Sequence, residues 1–406
     1  MRNVIFVAPF FRETTLRLVS AVAKLTGARL GLISQDPESK LPPVIRSAVA
    51  AHYRVLHGLD TDLIAEAVGA VGARLGSVDR LLGTLEELQV PLGDVRERLG
   101  IEGMGGVAAR NFRDKDRMKT VLQAAGLPCA RHQLAATADD ARGFAATAGF
   151  PLVAKPPAGS GARSTFRLDS SQQLEACLST MPPGPDRPML LEEFVTGEEH
   201  SFDSVFLRGD VVWYSISHYA PSPLEVLKEP WIQWCVLIPR EVDRPEYAAI
   251  KGSAGRALAT LGMRSGLSHM EWFRRPDGRV AISEVGARPP GAQFTKLISY
   301  AHDFDLYAAW ARLVVFDEFE PPSRPFAAGA AYLRGQGQGR VQAITGLEET
   351  FRDLGSLVAE FRLPEEGQQP SASYEGEGYV IVRHPETAVV EDALRQIVSR
   401  VRVRLG

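Results

Sequence analysis

Apolar and polar positions at the start of the chain follow first the pattern of a strand and then that of a helix. Residues 3–8 and 29–34 are largely apolar, and a helical period over 12–26 lies between them and ends at Gly27. A strand, a helix and a strand at this spacing predict a βαβ unit. Such a unit requires a parallel sheet that is covered on both faces.

Further helical periods at about 60–75 and 84–99 extend this unit, so we predict a small open α/β domain over residues 1–110. A dinucleotide site in such a domain needs Gly-x-Gly-x-x-Gly after the first strand. Ala8 to Phe11 stand there instead. We therefore expect the topology without the dinucleotide site.

Glycine and proline divide the rest of the chain. A helix over 114–125 ends at Gly126, and Pro321, Pro322 and Pro325 mark a linker. Strands and helices alternate between them, with longer strands after residue 200, and a smaller mixed α/β region follows the linker. The remaining elements are predicted as strands at 150–155, 188–194, 328–333, 357–362 and 377–383, and as helices at 171–180, 302–316 and 387–402.

Two carboxylates are predicted to face each other on a β-hairpin. Alternating apolar and polar residues flank a short Pro-Asp-Gly turn, which is typical of a hairpin. If the turn is centred between Asp277 and Gly278, Glu271 and Glu284 lie opposite each other. Like charges there destabilise a strand pair, and Mg²⁺ would relieve this, because it binds through one or two carboxylates. Arg288 follows and could donate to a phosphate. Two solvated glutamates on an ordinary hairpin are the alternative.

A lysine precedes a glycine-rich loop in the middle of the chain. Lys155 ends an apolar strand and opens the loop 158–165. Glycines let backbone N–H groups approach a phosphate, and a nearby lysine adds a point charge. The order differs from that of a P-loop, in which the lysine follows the glycines. A surface turn is the alternative.

The segment 190–199 is a strand that runs into an acidic turn. The backbone of a strand edge can hold an adenine, and Glu199 could accept hydrogen bonds from ribose hydroxyls. Acidic residues at strand ends are more often solvated. A solvated helix face is likewise the default for Lys115 and Lys119, which lie one turn apart.

Composition narrows the class of protein. The chain has 406 residues, enough for two or three domains, and a net charge of −3 with mixed signs. This balance gives no basic surface for nucleic acid and no polybasic patch for a membrane, and no stretch approaches a transmembrane span. Cys129, Cys177 and Cys235 are widely spaced and odd in number, so we predict reduced thiols in a cytoplasmic protein.

None of these motifs is specific by itself, but their order along the chain is. A lysine-bearing helix, a lysine before a glycine-rich loop, an acidic strand-turn and two carboxylates followed by an arginine resemble the ATP-grasp superfamily. The resemblance covers about residues 105–315, and the flanking regions suit its carboxylate–amine ligase branch, which includes biotin carboxylase-like enzymes and L-amino-acid ligases. The matching pieces are Arg113 to Lys115 with Ala124 to Pro128, Pro151 to Lys155 with the 158–165 loop, Glu192 to Val195 with Gly197, Glu199, Ser201 and Asp203, and His269-x-Glu271 with Glu284-x-Gly286-x-Arg288-Pro289.

The resemblance implies a role for each matching residue. Lys115 and Lys155 would contact ATP phosphates, Glu271 and Glu284 would hold Mg²⁺, with Mn²⁺ as a substitute, and Arg288 would stabilise the phosphoryl group. His269 is expected to be a structural neighbour of the metal rather than a base. The other nucleotide-binding residues implied are Gly159, Ser160, Gly161 and Ser164 in the loop, Glu192, Glu193, Phe194 and Val195 at the adenine, and Glu199 at the ribose.

Gly286 departs from the pattern, because many members of the superfamily have an asparagine there as a further metal ligand. Glycine has no side chain, so water, phosphate or a bidentate Glu284 must complete the metal shell. The number of metal ions therefore stays open.

The implied fold is α/β, with an ATP-grasp domain over 111–320 and a C-terminal cap domain over 325–406. The first of these would consist of a lid over 130–195 and a metal-binding part over 196–320. The resemblance also carries an expectation of a homodimer.

The implied reaction joins a carboxylate, activated by ATP as an acyl phosphate, to an amine, with release of ADP and phosphate. The substrates are expected to be amino acids, bound where the segment 213–235 faces the hairpin. Tryptophans such as those in this segment more often lie in a core. The alternatives are a carboxylase that acts through carboxyphosphate and a nucleotide-binding module without catalysis.

Overall fold

In a computed structural model, which describes residues 1–159, 164–229 and 232–406, the chain begins with a parallel sheet. The elements are β1 (Arg2–Val7), α1 (Glu13–Ala23), β2 (Ala28–Ser34), α2 (Pro43–Ala48), β3 (Val49–Arg54), α3 (Thr61–Leu75), β4 (Arg80–Leu82), α4 (Gln89–Leu99) and α5 (Gly106–Arg113). The strand order is β3-β2-β1-β4, and all pairs are parallel. This confirms the predicted βαβ start of the chain.

The next unit is a small antiparallel sheet with its own core. Its elements are α6 (Lys115–Ala124), β5 (His132–Ala135), α7 (Ala138–Ala148), β6 (Leu152–Lys155), β7 (Phe166–Leu168), α8 (Ser171–Thr180) and β8 (Met189–Glu193). The strand order is β5-β8-β6-β7. Buried side chains of α7, α8 and this sheet pack on one another as a separate cluster. The predicted lid is therefore packed apart from the main core.

The central region is a long antiparallel sheet with helices against it. Its elements are β9 (Glu198–Leu207), β10 (Asp210–Ala220), α9 (Pro223–Lys228), β11 (Trp234–Ile238), α10 (Ala248–Leu261), β12 (Ser265–Arg274), β13 (Val280–Gly286), α11 (Phe294–His302) and α12 (Leu306–Phe316). A helix was predicted at 302–316, where α12 begins four residues later, and α9, α10 and α11 were missed. The sequence of α10 is rich in alanine and glycine, which weakens its apolar period.

Three C-terminal strands extend the central sheet, and three others form a small sheet of their own. The C-terminal elements are β14 (Ala327–Leu333), β15 (Gly335–Gln336), β16 (Val341–Thr345), α13 (Leu347–Leu354), β17 (Val358–Arg362), β18 (Gly378–His384), α14 (Thr387–Arg400) and β19 (Arg402–Leu405). The described strands of this sheet run in the order β13-β12-β9-β10-β11-β14-β18-β17. The predicted linker at 321–325 therefore lies between strands of one sheet, and the division into domains stays a prediction.

The first unit shares a core with the central sheet. Buried residues of β1 and β2 cluster with residues of α12, β11 and β14, and the rings of Phe6 and Trp310 meet edge to face at 6.2 Å. This packing fixes the carboxyl end of β4 beside the hairpin. None of the helices in the described ranges is long and apolar enough to cross a membrane.

Candidate active site

The two hairpin glutamates face each other, as predicted. Glu271 in β12 and Glu284 in β13 are direct partners across the antiparallel pair. Nearer the turn, however, Arg274 pairs with Val280. The turn is therefore centred on Asp277, half a residue from its predicted centre, and a uniform register would not have placed the glutamates opposite each other.

A β-bulge restores the facing pair. Trp272 pairs with Ile282 and Glu271 with Glu284, which leaves Ser283 as the extra residue of β13. The carbonyl oxygen of Ser283 accepts a hydrogen bond from Nζ of Lys119 at 2.9 Å. Bulges commonly re-aim side chains beside active sites. This one aligns the two carboxylates and also holds a lysine from α6.

Three lysines, two in α6 and one at the end of β6, lie close to the carboxylates of the site. Nζ of Lys115 donates to Oε1 of Glu284 at 2.8 Å and to the carbonyl oxygen of Gly159 at 3.0 Å. Nζ of Lys155 lies 2.9 Å from Oε1 of Glu192, and Nζ of Lys119 lies 3.4 Å from the same oxygen. Each ammonium group therefore has a carboxylate within reach.

The default of a solvated face for Lys115 and Lys119 was wrong. Lys115 is 6% exposed and Lys119 is 0% exposed, because this face of α6 packs against the hairpin and the lid sheet. The i, i+4 spacing showed that the two lysines share a face, but not that another element covers it.

The lysines keep two carboxylates charged, the buried Glu192 and the partly buried Glu284. Burial raises the pKa of Glu192, but Lys119 and Lys155 outweigh it, so that the pKa falls below its usual value. Burial likewise raises the pKa of Glu284, and Lys115 and Lys155 reverse that shift. Opposite charges at such short range favour the ionised form. Both carboxylates are thus ionised near neutral pH.

Glu199 behaves differently. Its pKa is raised well above the usual value by burial and then by the nearby charge of Glu271. Among the described residues it makes no ion pair, whereas Glu192 and Glu284 each have a lysine. The acidic side of the site thus contains one carboxyl group that holds its proton more readily than the others.

His269 offsets some of this negative charge. Its Nδ1 lies 2.7 Å from Oδ1 of the buried Asp203, and its Nε2 lies 3.7 Å from Oε1 of Glu271. Burial alone would lower the pKa of His269, but Asp203 dominates and raises it to about 10. His269 is therefore a cation that supports Glu271, and its expected place beside a metal stays a prediction.

Arg288 reaches the site together with an acidic partner from the first unit. Nε of Arg288 donates to Oε2 of Glu86, which is 8% exposed, and Arg113 lies 3.8 Å from Oε1 of the same carboxylate. Glu86 was not identified from the sequence, because it lies about two hundred residues from Arg288 and in a stretch predicted only as helical. It fixes the guanidinium beside the hairpin.

These groups surround one cavity of about 530 Å³. Of the predicted loop residues, Gly159 lines it, Ser164 is exposed and does not, and Ser160 and Gly161 lie outside the described residues. The other predicted site residues that line it are Lys115, Lys155, Glu192, Glu193, Phe194, Val195, Glu199, Glu271, Glu284 and Arg288.

The segment predicted to form the substrate pocket divides between cavity and core. Tyr219 and Trp234 line the cavity. Trp213 is buried against His302, with ring centroids 4.9 Å apart. His218 is bonded to a tyrosine hydroxyl in the core, and Trp231 lies outside the described residues. The segment is thus a pocket wall only in part.

The donor set at the hairpin fits Mg²⁺. Within the described ranges no three or more His, Cys, Asp or Glu side chains gather as a metal cluster, so a closed protein cage is not available there. Mg²⁺ needs one or two carboxylates and keeps water or phosphate in its other positions. A Cβ atom on Gly286 would meet its nearest neighbours at 3.8 and 3.9 Å, an ordinary contact. Space for a further side-chain ligand therefore exists.

No protein-family model matches the chain, but it has similar proteins of known activity. It is 24% identical over 293 residues to the L-arginine-specific L-amino acid ligase of Bacillus subtilis, which covers 71% of this chain and 70% of the ligase. It is 29% identical over 282 residues to a D-alanine--D-alanine ligase of Pseudomonas putida (strain GB-1), which covers 68% of this chain and 80% of that enzyme. Other curated relatives are longer: the chain spans only 25% of a mycobacterial carbamoyl phosphate synthase large chain.

Solved structures share the whole fold. An L-amino acid ligase from Bacillus licheniformis superposes with a TM-score of 0.79 at 18% identity and covers 100% of this chain and 99% of its own. A carboxyaminoimidazole ribonucleotide synthase of Aspergillus clavatus, solved with ATP, superposes with a TM-score of 0.71 at 16% identity and covers 99% of each chain. Together with the sequence relatives, this agreement shows that the chain has the ATP-grasp fold and is similar to carboxylate–amine ligases of that superfamily.

Proposed function

We propose that this chain joins two amino acids, or an amino acid and another small carboxylate or amine, in an ATP-dependent amide-forming reaction. The observation that carries this proposal is the facing pair of Glu271 and Glu284 with Lys115, Lys155 and Arg288 around one cavity. The amino-acid ligases among the relatives support amino acids as substrates.

The nucleotide would lie between the lid and the hairpin. Lys115 and Lys155 line this space with their ammonium groups, and phosphate oxygens are strong acceptors for such donors. When the nucleotide binds, its phosphates and the bound cation would replace the present pairing between these lysines and their carboxylates. The backbone around Val195 would hold the adenine and Glu199 the ribose.

Glu271 and Glu284 would hold Mg²⁺, which when bound neutralises charge on the phosphates. His269, held by Asp203, limits the repulsion between the two carboxylates. Lys115 and Lys155 keep Glu284 in the charged form that a hard cation requires.

The reaction would proceed in two steps. A carboxylate oxygen of the first substrate attacks the γ-phosphorus of ATP, and the bond to the ADP oxygen breaks, which leaves an acyl phosphate. The neutral amine of the second substrate then attacks the acyl carbon, phosphate departs with the former C–O bonding pair, and the amine loses a proton. Positioning and electrostatic stabilisation supply most of the rate in such transfers.

Arg288 is placed to stabilise charge in both steps. Its guanidinium lies at the cavity and is bonded to Glu86, so its orientation is set before a substrate arrives. Glu86 is therefore a positioning residue, and preorganised donors of this kind lower the barrier without reorganisation during the reaction.

Phosphate release from Mg-ATP tests the proposal. The purified chain would be assayed against pairs of amino acids, single amino acids, small carboxylates and bicarbonate, with mass detection of products. We expect release that depends on an acid and an amine together, and a product lighter than their sum by one water. Release with bicarbonate and no amine would instead favour carboxyphosphate chemistry, and ATP binding without any release would favour a non-catalytic module.

A further inference from the structure

One side of the cavity is lined by a row of aromatic rings, each of which contacts the next. Phe294, Tyr219, Trp234 and Tyr374 form this aromatic wall, and all four line the cavity. The ring centroids of Phe294 and Tyr219 are 5.8 Å apart, those of Tyr219 and Trp234 5.6 Å, and those of Trp234 and Tyr374 4.6 Å. Each contact is edge to face, which is a favoured geometry for aromatic pairs.

The aromatic wall begins at the reacting centre. The ring of Phe294 lies 5.3 Å from that of His269, and His269 in turn supports Glu271. The far end also senses the hairpin, because the pKa of Tyr374 is raised by burial and next by the charge of Glu271. The aromatic wall therefore lies beside the hairpin, where the reacting group of a substrate would be.

The aromatic wall ends at an acid without a partner. Glu375 follows Tyr374 in the chain, lines the cavity and is partly buried. Its backbone N–H bonds to Ser373, but its carboxylate makes no ion pair or hydrogen bond with any residue in the described ranges. Burial raises the pKa of this carboxyl group, and only the charge of Arg362, which lies 4.0 Å from Glu13, opposes that shift.

We propose that the aromatic wall and Glu375 select an amino acid with a positively charged side chain as one of the two substrates. This inference rests on the proposed ligase function. Glu375 is partly buried, and a carboxylate that is removed from water without a counter-charge is costly. An ammonium or guanidinium group would supply that charge. Tyr374 is the least buried of the four rings, and its ring can attract the same cation and accommodate the apolar stem that carries it.

Two matched pairs of substrates test the proposal in the unmodified protein. Arginine and citrulline differ in charge at nearly constant shape, as do lysine and norleucine. Each would be combined with alanine and Mg-ATP, and kcat/KM would be taken from phosphate release and product mass. We expect the charged member of each pair to be favoured at least about tenfold, since hydrogen bonds to charged groups are among the stronger ones.

Variants at the acid sharpen the test. Glu375→Gln should remove the preference by lowering kcat/KM for arginine and lysine at least about tenfold, with little change for citrulline and norleucine. Glu375→Lys should shift the preference toward acidic amino acids. Glu366→Gln, an exposed acid of the same segment, is the matched control and should behave as the unmodified chain.

The outcomes separate this inference from the proposed function. Turnover of amino-acid pairs without a preference for the charged members, or a preference that survives in Glu375→Gln, would overturn the inference and leave the ligase intact. No release with any acid and amine would overturn both. Should Glu375→Gln fail to fold in a thermal melt, the arginine–citrulline ratio of the unmodified chain still decides.

Discussion

The cavity has two sides that are built in different ways. The ionic side consists mainly of charged residues on regular elements, α6, β6, β8, β9, β12 and β13, and most of its charges are paired within the protein. The aromatic side ends in Tyr374 and Glu375, which lie between β17 and β18 and outside any helix or strand. Strand register fixes the first side, whereas an irregular segment supplies part of the second. We infer that ATP chemistry resides on the ionic side and substrate choice on the aromatic side.

Loss of a hairpin carboxylate should have the largest effect, and the same effect on every substrate. Glu284→Gln removes the charge that would hold Mg²⁺ and that pairs with Lys115, so we expect kcat to fall by about a thousandfold or more. Phosphate release and a thermal melt would be measured together. Asp277→Asn, an acid at the tip of the same hairpin, is the control. Near-normal turnover in Glu284→Gln would disprove the metal-site assignment.

Removal of the buried lysine should have an intermediate effect, confined to ATP and stability. Lys119→Met leaves Glu192 with one lysine instead of two and Ser283 without its donor. We expect the free energy of unfolding to fall by about 2 kcal/mol, because Glu192 keeps only Lys155 as its counter-charge and the carbonyl of Ser283 loses a hydrogen bond, and KM for ATP to rise about tenfold.

The control for Lys119→Met is Lys251→Met, whose lysine pairs with Asp243 at 2.8 Å on the surface. Chemical denaturation and ATP titration of both variants would check the prediction. Equal stability of the two variants would show that the buried lysine contributes no more to the free energy of unfolding than the surface lysine does.

A change on the aromatic wall should have the smallest effect, confined to the amino-acid substrate. Tyr374→Leu removes the edge-to-face contact with Trp234, which is worth about 1 kcal/mol, so KM for the amino acid should rise about fivefold while KM for ATP stays constant. Phe361→Leu, an exposed aromatic of the same C-terminal region, is the control. A matching rise in KM for ATP would contradict the division into two sides.

The ionic side was largely predictable because its signals are local. The turn, the alternation and the two glutamates lie within about twenty residues, so strand pairing follows from the sequence. The predicted turn centre was nevertheless wrong, and only the bulge at Ser283 made the facing pair correct. A bulge depends on contacts with other elements, such as the bond from Lys119, which a pattern along one strand does not contain.

The remaining residues depended on tertiary packing. Glu86 reaches Arg288 from the first unit, and Tyr374 reaches Trp234 from beyond β17. Neither has a motif or a period that marks it, because each acts through a partner more than a hundred residues away. The burial of Lys119 belongs to the same class, since a helix face is solvated or covered according to what packs on it.

The bulged residue, Ser283, connects two charged groups of the site, the ammonium group of Lys119 and the carboxylate of Glu284. Its carbonyl holds the lysine of α6, and its backbone continues directly into Glu284. A displacement of the hairpin would therefore carry the ammonium group and the carboxylate together. Motion of the hairpin would then move these two charged groups as one unit and would leave the distance between them unchanged.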